Sequence, residues 1–134
     1  MNWLGDIGEV APVVGMDQRI GPHFLQSGLG YGGSCFPKDT KGLDYVSSFN
    51  GYRFSLLKSV IEVNTRQRII AVRKLQEKLK DLNGKNITVL GLAFKLGTDD
   101  VREAPALDII KYLVDEGAVV AATDPLAIWF WGPT

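Results

Sequence analysis

The chain of 134 residues has one cysteine and one histidine, and its fifteen basic residues cancel its fifteen acidic ones. A single cysteine cannot close a disulfide within the chain, which points to a reducing, cytoplasmic setting. The lone His23 has no cysteine or acidic partner at ligand spacing, so no metal site is expected. Balanced charge gives no basic field for nucleic acid or for an anionic membrane, although it leaves room for a small anion site. No apolar run approaches the roughly 20 residues of a membrane span. The opening "MNWLGDIGEV" has no basic segment ahead of an apolar core, so no signal peptide is expected. Internal repeats and low-complexity tracts are also missing.

What is present divides into two parts. The stretch to about Gly15 reads as the tail of a helix, and "MDQRIGPHF", with Gly21 and Pro22, as a loop. Pro37 sits where a first helical turn tolerates proline, and a helix is expected from about Pro37 to Ser48, with Asp39 near its positive end. Asn50-Gly51 breaks the chain. From Phe54 to Leu82, a stripe recurs at three and four: Leu57, Val60, Ile61 and Asn64, then Val72, Leu75, Leu79 and Leu82. That predicts one long helix with an apolar stripe, interrupted by the polar "NTRQR" and ended by Asn83-Gly84. The stripe suits a core helix, a surface buried against a second copy of the chain, or both. "KNITVLGLAF" then reads as a strand of a buried parallel sheet, "PALDIIKYLVDEG" as a helix ended by Gly117, and "AVVAATDP" as a second strand. This is one βαβ unit, expected to cross over right-handed. The tail "LAIWFWGPT" matches no ordinary next strand or helix, and both ends look cut.

The segment "GLGYGGSCFPKD" contains Gly28, Gly30 and Gly33, which is G-x-G-x-x-G. A dinucleotide turn needs a strand before its first glycine and a helix from its last. "RIGPHFLQS" is not a buried strand, and the next strand is near Ile87, so the dinucleotide reading fails on context. The other reading is chemical. Glycines let backbone N–H groups approach a ligand, and Cys35 stands just before a helix, whose N-terminus favours a thiolate, with Lys38 nearby. A lone cysteine is more commonly a small buried residue. Four glycines between positions 28 and 33, Ser34 before the cysteine and Lys38-Asp39 after it tip the balance toward a nucleophile.

This segment resembles the active-site segment of the UDP-glucose 6-dehydrogenase family. Three further blocks agree in order and spacing: "GMDQRIGPHFLQ" from Gly15, "LLKSVIEVNTRQ" from Leu56, and "VLGLAFKLGTDDVREAPALDII" from Val89. The resemblance covers roughly Gly5 to Pro125. It implies an α/β fragment: a helical central, dimerising part at 1–83 that carries the cysteine loop, followed at 84–134 by the first βαβ unit of a Rossmann-like UDP-binding domain.

The resemblance also implies a chemistry. Such enzymes oxidise the C6 alcohol of a nucleotide sugar to a carboxylate in two steps with two NAD, through a cysteine thiohemiacetal and thioester. Cys35 matches the nucleophile and Asp39 the carboxylate that helps activate water; a first-turn acid would also account for Asp39. Phe24, Leu25, Gln26, Ser27, Gly28, Tyr31 and Gly32 match the loop that holds the sugar and uridine. Phe94 and Lys95 match residues of the same pocket, against the alternatives of a core aromatic and a surface charge. Lys38 and Arg102 match residues that reach NAD, although Arg102 could instead pair with Asp99 or Glu103. Arg19 matches an arginine that reaches the neighbouring subunit's sugar nucleotide, and the partners implied are UDP-glucose and a second copy through the central helices.

The departures are equally specific. The family's N-terminal dinucleotide-binding domain, and the lysine and asparagine that stabilise the oxyanion, are not in these 134 residues. "IWFWGPT" does not match the family, as a frameshift would produce. The chain alone is therefore expected to be inactive and prone to self-association. A related dehydrogenase acting on GDP-mannose or a UDP-N-acetylhexosamine, and a non-catalytic dimerising remnant, are the alternatives.

Overall fold

The computed structural model describes residues 5–127, and the aromatic tail from position 128 lies outside the described residues. Four helices and two strands follow in the order α1 (Ile7–Gly15), α2 (Phe36–Phe49), α3 (Ser55–Leu79), β1 (Asn86–Leu90), α4 (Pro105–Asp115) and β2 (Val119–Thr123). The mixed α/β class expected from the sequence is what is found. Asp6 caps α1 by accepting the Gly8 N–H at 2.8 Å. Pro37 lies in the first turn of α2 and Pro105 opens α4, where a missing N–H leaves no partner wanting.

The strands pair in parallel, Asn86 opposite Val119 through Leu90 opposite Thr123. Between them, α4 packs on the sheet and on α3. Val72 of α3, Leu82, Ile109 and Leu113 of α4, and Ala118 form one buried cluster, with Ile87 and Val89 against it. Leu92, Ile110 and Ala127 form a second. On α4 the spacing of Leu107, Ile110, Leu113 and Val114 predicts one apolar face; the first three are buried or partly buried, but Val114 is exposed and Ile109 is buried in its place.

Two expectations need correction. The long helix ends at Leu79, not beside Asn83-Gly84, because Lys80 takes a left-handed φ of 63°. The chain then turns, and Leu82, 2% exposed, enters the core from a loop instead of continuing the helical stripe. The strand from Lys85 to Phe94 is cut to Asn86–Leu90 because Gly91 adopts φ 94°. Nor is it buried on both faces. Ile87 and Val89 face the core while Thr88 and Leu90 are exposed.

Asp124, 5% exposed, ties the strand ends together. One carboxylate oxygen accepts the N–H groups of Leu92 (2.7 Å) and Ala93 (3.1 Å), the other those of Leu126 (2.8 Å) and Ala127 (2.9 Å). These donors, Leu92 first, hold its pKa far below the usual carboxylate range. The carboxylate's contribution is therefore complete above the unfolded-chain value near ~4 and fades as pH falls from there toward the depressed folded value. Asp124→Asn is expected to lower the melting temperature at pH 7 by about 5 °C and to flatten the acid-side loss of stability. Circular-dichroism melts across pH check both.

Candidate functional site

The cysteine loop is shaped by three glycines, Gly30, Gly32 and Gly33, at which a side chain would be strained or would clash. Gly30 and Gly33 adopt φ values of 110° and 84°. Gly33 donates its N–H to the carbonyl of Arg102 at 2.8 Å, so the loop lies directly against the turn before α4. A Cβ on Gly33 would stand 2.8 Å from the Phe94 ring, and one on Gly32 2.5 Å from the Glu103 carbonyl oxygen. Cys35 follows as the N-cap residue of α2 and is exposed. Its carbonyl accepts the Asp39 N–H at 2.8 Å, and the Ser34 hydroxyl lies 3.7 Å from its Sγ.

A cavity of about 720 Å³ is lined by Gly33, Ser34, Cys35, Lys38, Lys41, Arg102 and Glu103. It brings together three cations from two distant stretches of chain. Lys41 pairs with Glu103 at 2.9 Å. Arg102 is gripped by Asp100, Nε to Oδ1 at 2.9 Å and Nη2 to Oδ2 at 2.7 Å. That guanidinium, with the Arg102 backbone N–H, holds Asp100 down to about 2. Asp100 in turn raises Arg102, and the charge of Cys35 adds to the effect. The pairing read from sequence, with Asp99 or Glu103, is thus replaced by Asp100, because a turn at 100–102 folds the carboxylate onto its own neighbour.

A second groove, of about 560 Å³, runs between the loop and α3, with Gln26, Gly28 and Tyr31 on one side and Val60, Asn64 and Gln67 on the other. Leu25, Gln26 and Ser27 line a third cavity against α1. Phe94 packs on Gly33, and Lys95 Nζ lies 5.3 Å from the Phe94 ring centre. The other residues singled out from sequence are less gathered. Phe24 is 97% exposed. Arg19 is bound to Asp17, Nη2 to Oδ2 at 2.7 Å, and Asp39 projects to solvent with Lys38 Nζ at 3.5 Å. The sequence does not single out Lys41, and it offers Glu103 only as a partner for Arg102. Lys41 stands three residues after Lys38, one helical turn along the same face, which is a usable signal. The Lys41–Glu103 pair has no such signal, because the position of Glu103 depends on a φ of 52°.

Among the described residues, no group of three or more metal-ligating side chains occurs, and no helix is long and apolar enough to cross a membrane. The glycine segment follows a turn and not a strand, so it offers no dinucleotide turn.

The model of the UDP-glucose/GDP-mannose dehydrogenase family central domain matches residues 4–66, and that of the same family's UDP-binding domain matches residues 88–129. The chain belongs to the UDP-glucose/GDP-mannose dehydrogenase family. It is 53% identical to UDP-glucose 6-dehydrogenase TuaD of Bacillus subtilis over 92% of this chain and 27% of that protein. It is 46% identical to UDP-glucose 6-dehydrogenase of Rickettsia bellii over 92% of this chain and 29% of that one. Among solved structures, a UDP-glucose dehydrogenase from Pyrobaculum islandicum superposes with a TM-score of 0.87 at 43% identity, over 90% of this chain and 28% of the other. GDP-mannose dehydrogenase from Pseudomonas aeruginosa gives 0.71 at 28% identity, over 94% and 29%. The chain therefore spans under a third of the length of these relatives.

Proposed function

We propose that this chain supplies the cysteine-bearing part of an NAD-dependent UDP-glucose 6-dehydrogenase, with a central part at 1–83 and the start of a UDP-binding part at 84–134. The observation that carries this reading is the shared cavity of Cys35, Lys38 and Arg102, built by residues far apart in sequence. The stronger likeness to UDP-glucose than to GDP-mannose dehydrogenases favours the glucose substrate. In this role Cys35 attacks the C6 aldehyde and Asp39 handles the water proton. Gln26, Ser27, Gly28, Tyr31 and Gly32, with Phe24, Leu25, Phe94 and Lys95, hold the sugar nucleotide, and Arg19 reaches that of a second subunit.

Lys38 and Arg102 are suited to a phosphate-bearing cofactor because their cations border the nucleophile. When bound, NAD supplies the hydride acceptor. Its dinucleotide turn would come from outside these residues, so the 134 residues by themselves are expected to form no NADH from UDP-glucose. A cytoplasmic homodimer is part of the same proposal. Exposed Val10 and Val13 on α1, Val46 and Phe49 on α2, and Leu56 and Val63 on α3 supply apolar faces for it. Those faces also favour the second reading, a remnant that only dimerises.

A hybrid enzyme separates these readings. Residues 5–127 replace their counterparts in TuaD of B. subtilis, and NADH formation is followed with UDP-glucose and with GDP-mannose. Turnover of UDP-glucose at least about tenfold faster than GDP-mannose is expected. A folded hybrid that prefers GDP-mannose overturns the substrate assignment, and one that turns over neither favours the remnant.

A further inference from the structure

The polar patch of α3 that interrupts its apolar stripe is built into the cysteine loop. Asn64 reads the backbone of Tyr31 as a strand partner would: its Oδ1 accepts the Tyr31 N–H at 2.7 Å and its Nδ2 donates to the Tyr31 carbonyl at 3.2 Å. Gly30 makes room for this contact, since a Cβ there would lie 2.7 Å from Asn64 Oδ1. One turn along the helix, Arg68 has a side chain only 10% exposed. Its Nη2 lies 3.3 Å from both the Tyr31 and the Glu103 carbonyls, while its Nη1 pairs with Asp108 of α4. Its Nε is buried without a partner. A buried cation with an unsatisfied donor is costly on stability grounds alone. What the guanidinium gains is reach, because its planar fork spans acceptors on three segments at once.

We propose that Asn64 and Arg68 are positioning residues that hold the Tyr31–Gly33 backbone against the Arg102–Glu103 turn. They thereby set the grouping of Lys38, Lys41 and Arg102 around Cys35. The argument has two joined parts. Asn64 fixes the loop to α3, and Arg68 fixes both the loop and the turn to α4. The Gly33 N–H to Arg102 carbonyl bond, at 2.8 Å, is the link through which the cations from the two sides meet. A single side chain at position 68 with one nitrogen cannot hold Tyr31, Glu103 and Asp108 together, so lysine there keeps the charge and loses the arrangement.

The inference rests on the proposed nucleophile only for its consequence, and its test uses neither substrate nor NAD. Asn64→Ala and Arg68→Lys are made in the full chain. Amide hydrogen exchange is measured, together with the ratio of Cys35 alkylation by iodoacetate to that by iodoacetamide, relative to a free thiol. The anionic reagent is favoured only where cations surround the thiolate, so this ratio reports their grouping. Expected are exchange at the Tyr31 and Gly33 amides faster on the order of 10-fold, a charge ratio reduced about threefold, and unchanged exchange at Ile110 and Leu113 of α4. Unchanged loop amides, an unchanged charge ratio, or α4 amides accelerated as much as the loop would each overturn the proposal. Asn64→Ala leaves no buried charge behind, so the test stands even where Arg68→Lys does not fold. A failed hybrid enzyme with the expected loop response would count against the proposed function and not against this inference.

Discussion

Cys35→Ala in the hybrid enzyme is expected to reduce UDP-glucuronate formation by at least about 10³-fold, because the second oxidation loses its covalent route. The C6 aldehyde carries too little electron density to give up a hydride unaided. In the proposed reaction, addition of the Cys35 thiolate would form a C–S bond and place an oxyanion on C6. That thiohemiacetal would pass its hydride to NAD as the C6–O bond becomes a carbonyl, leaving a thioester on Sγ. Water would then add to the thioester, the C–S bond would break, and carboxylate, thiol and one proton would result. For that role the structure offers an exposed Cys35 at the start of α2, lining one cavity with Lys38, Lys41 and Arg102. Alanine keeps the helix and the cavity but forms no C–S bond. Coupled product assay by chromatography is the check, and a variant that still forms the acid within tenfold of the parent would contradict the nucleophile assignment.

Gly32→Ala is expected to cost about 3 kcal/mol, whereas Gly28→Ala, four residues earlier in the same loop, should be neutral or slightly stabilising. Both glycines belong to one loop, yet their surroundings differ. A Cβ on Gly32 would meet the Glu103 carbonyl oxygen at 2.5 Å, its carbon at 3.1 Å and Ala104 Cα at 3.2 Å, all of them backbone. Nothing lies within 4 Å of a Cβ on Gly28. Backbone cannot yield by rotating a side chain, so the loop must separate from the Arg102–Glu103 turn. Denaturant unfolding of the two variants checks the contrast, and equal effects would mean that the loop and turn do not pack.

Much of this was legible in the sequence because local rules govern it. Pro37 and Pro105 mark helix starts, Gly117 marks a helix end, and the spacing of Leu107, Ile110 and Leu113 marks most of the buried side of α4, although Val114 on the same expected face is exposed. The rejection of the dinucleotide turn also followed from local context, since a turn precedes Gly28. What failed did so for tertiary reasons. Leu82 continues the helical spacing yet enters the core from a loop, because Lys80 reverses the chain. Asn64 and Arg68 read as a polar interruption, and only the approach of Tyr31 and Glu103 gives them partners. The cation cavity joins Lys38 and Lys41 to Arg102 through Gly33 and Glu103, a closure that no spacing rule expresses.

The most direct test of the central claim is the mass of the Cys35 peptide from the hybrid enzyme, quenched in acid during turnover of UDP-glucose with NAD. An Asp39→Asn variant of the hybrid, in which water attack is expected to slow by about 10²-fold or more, gives the intermediate time to accumulate. The account predicts a Cys35 peptide heavier by one UDP-hexuronyl group, released by hydroxylamine. Unmodified Cys35 in a hybrid that is forming UDP-glucuronate would contradict it.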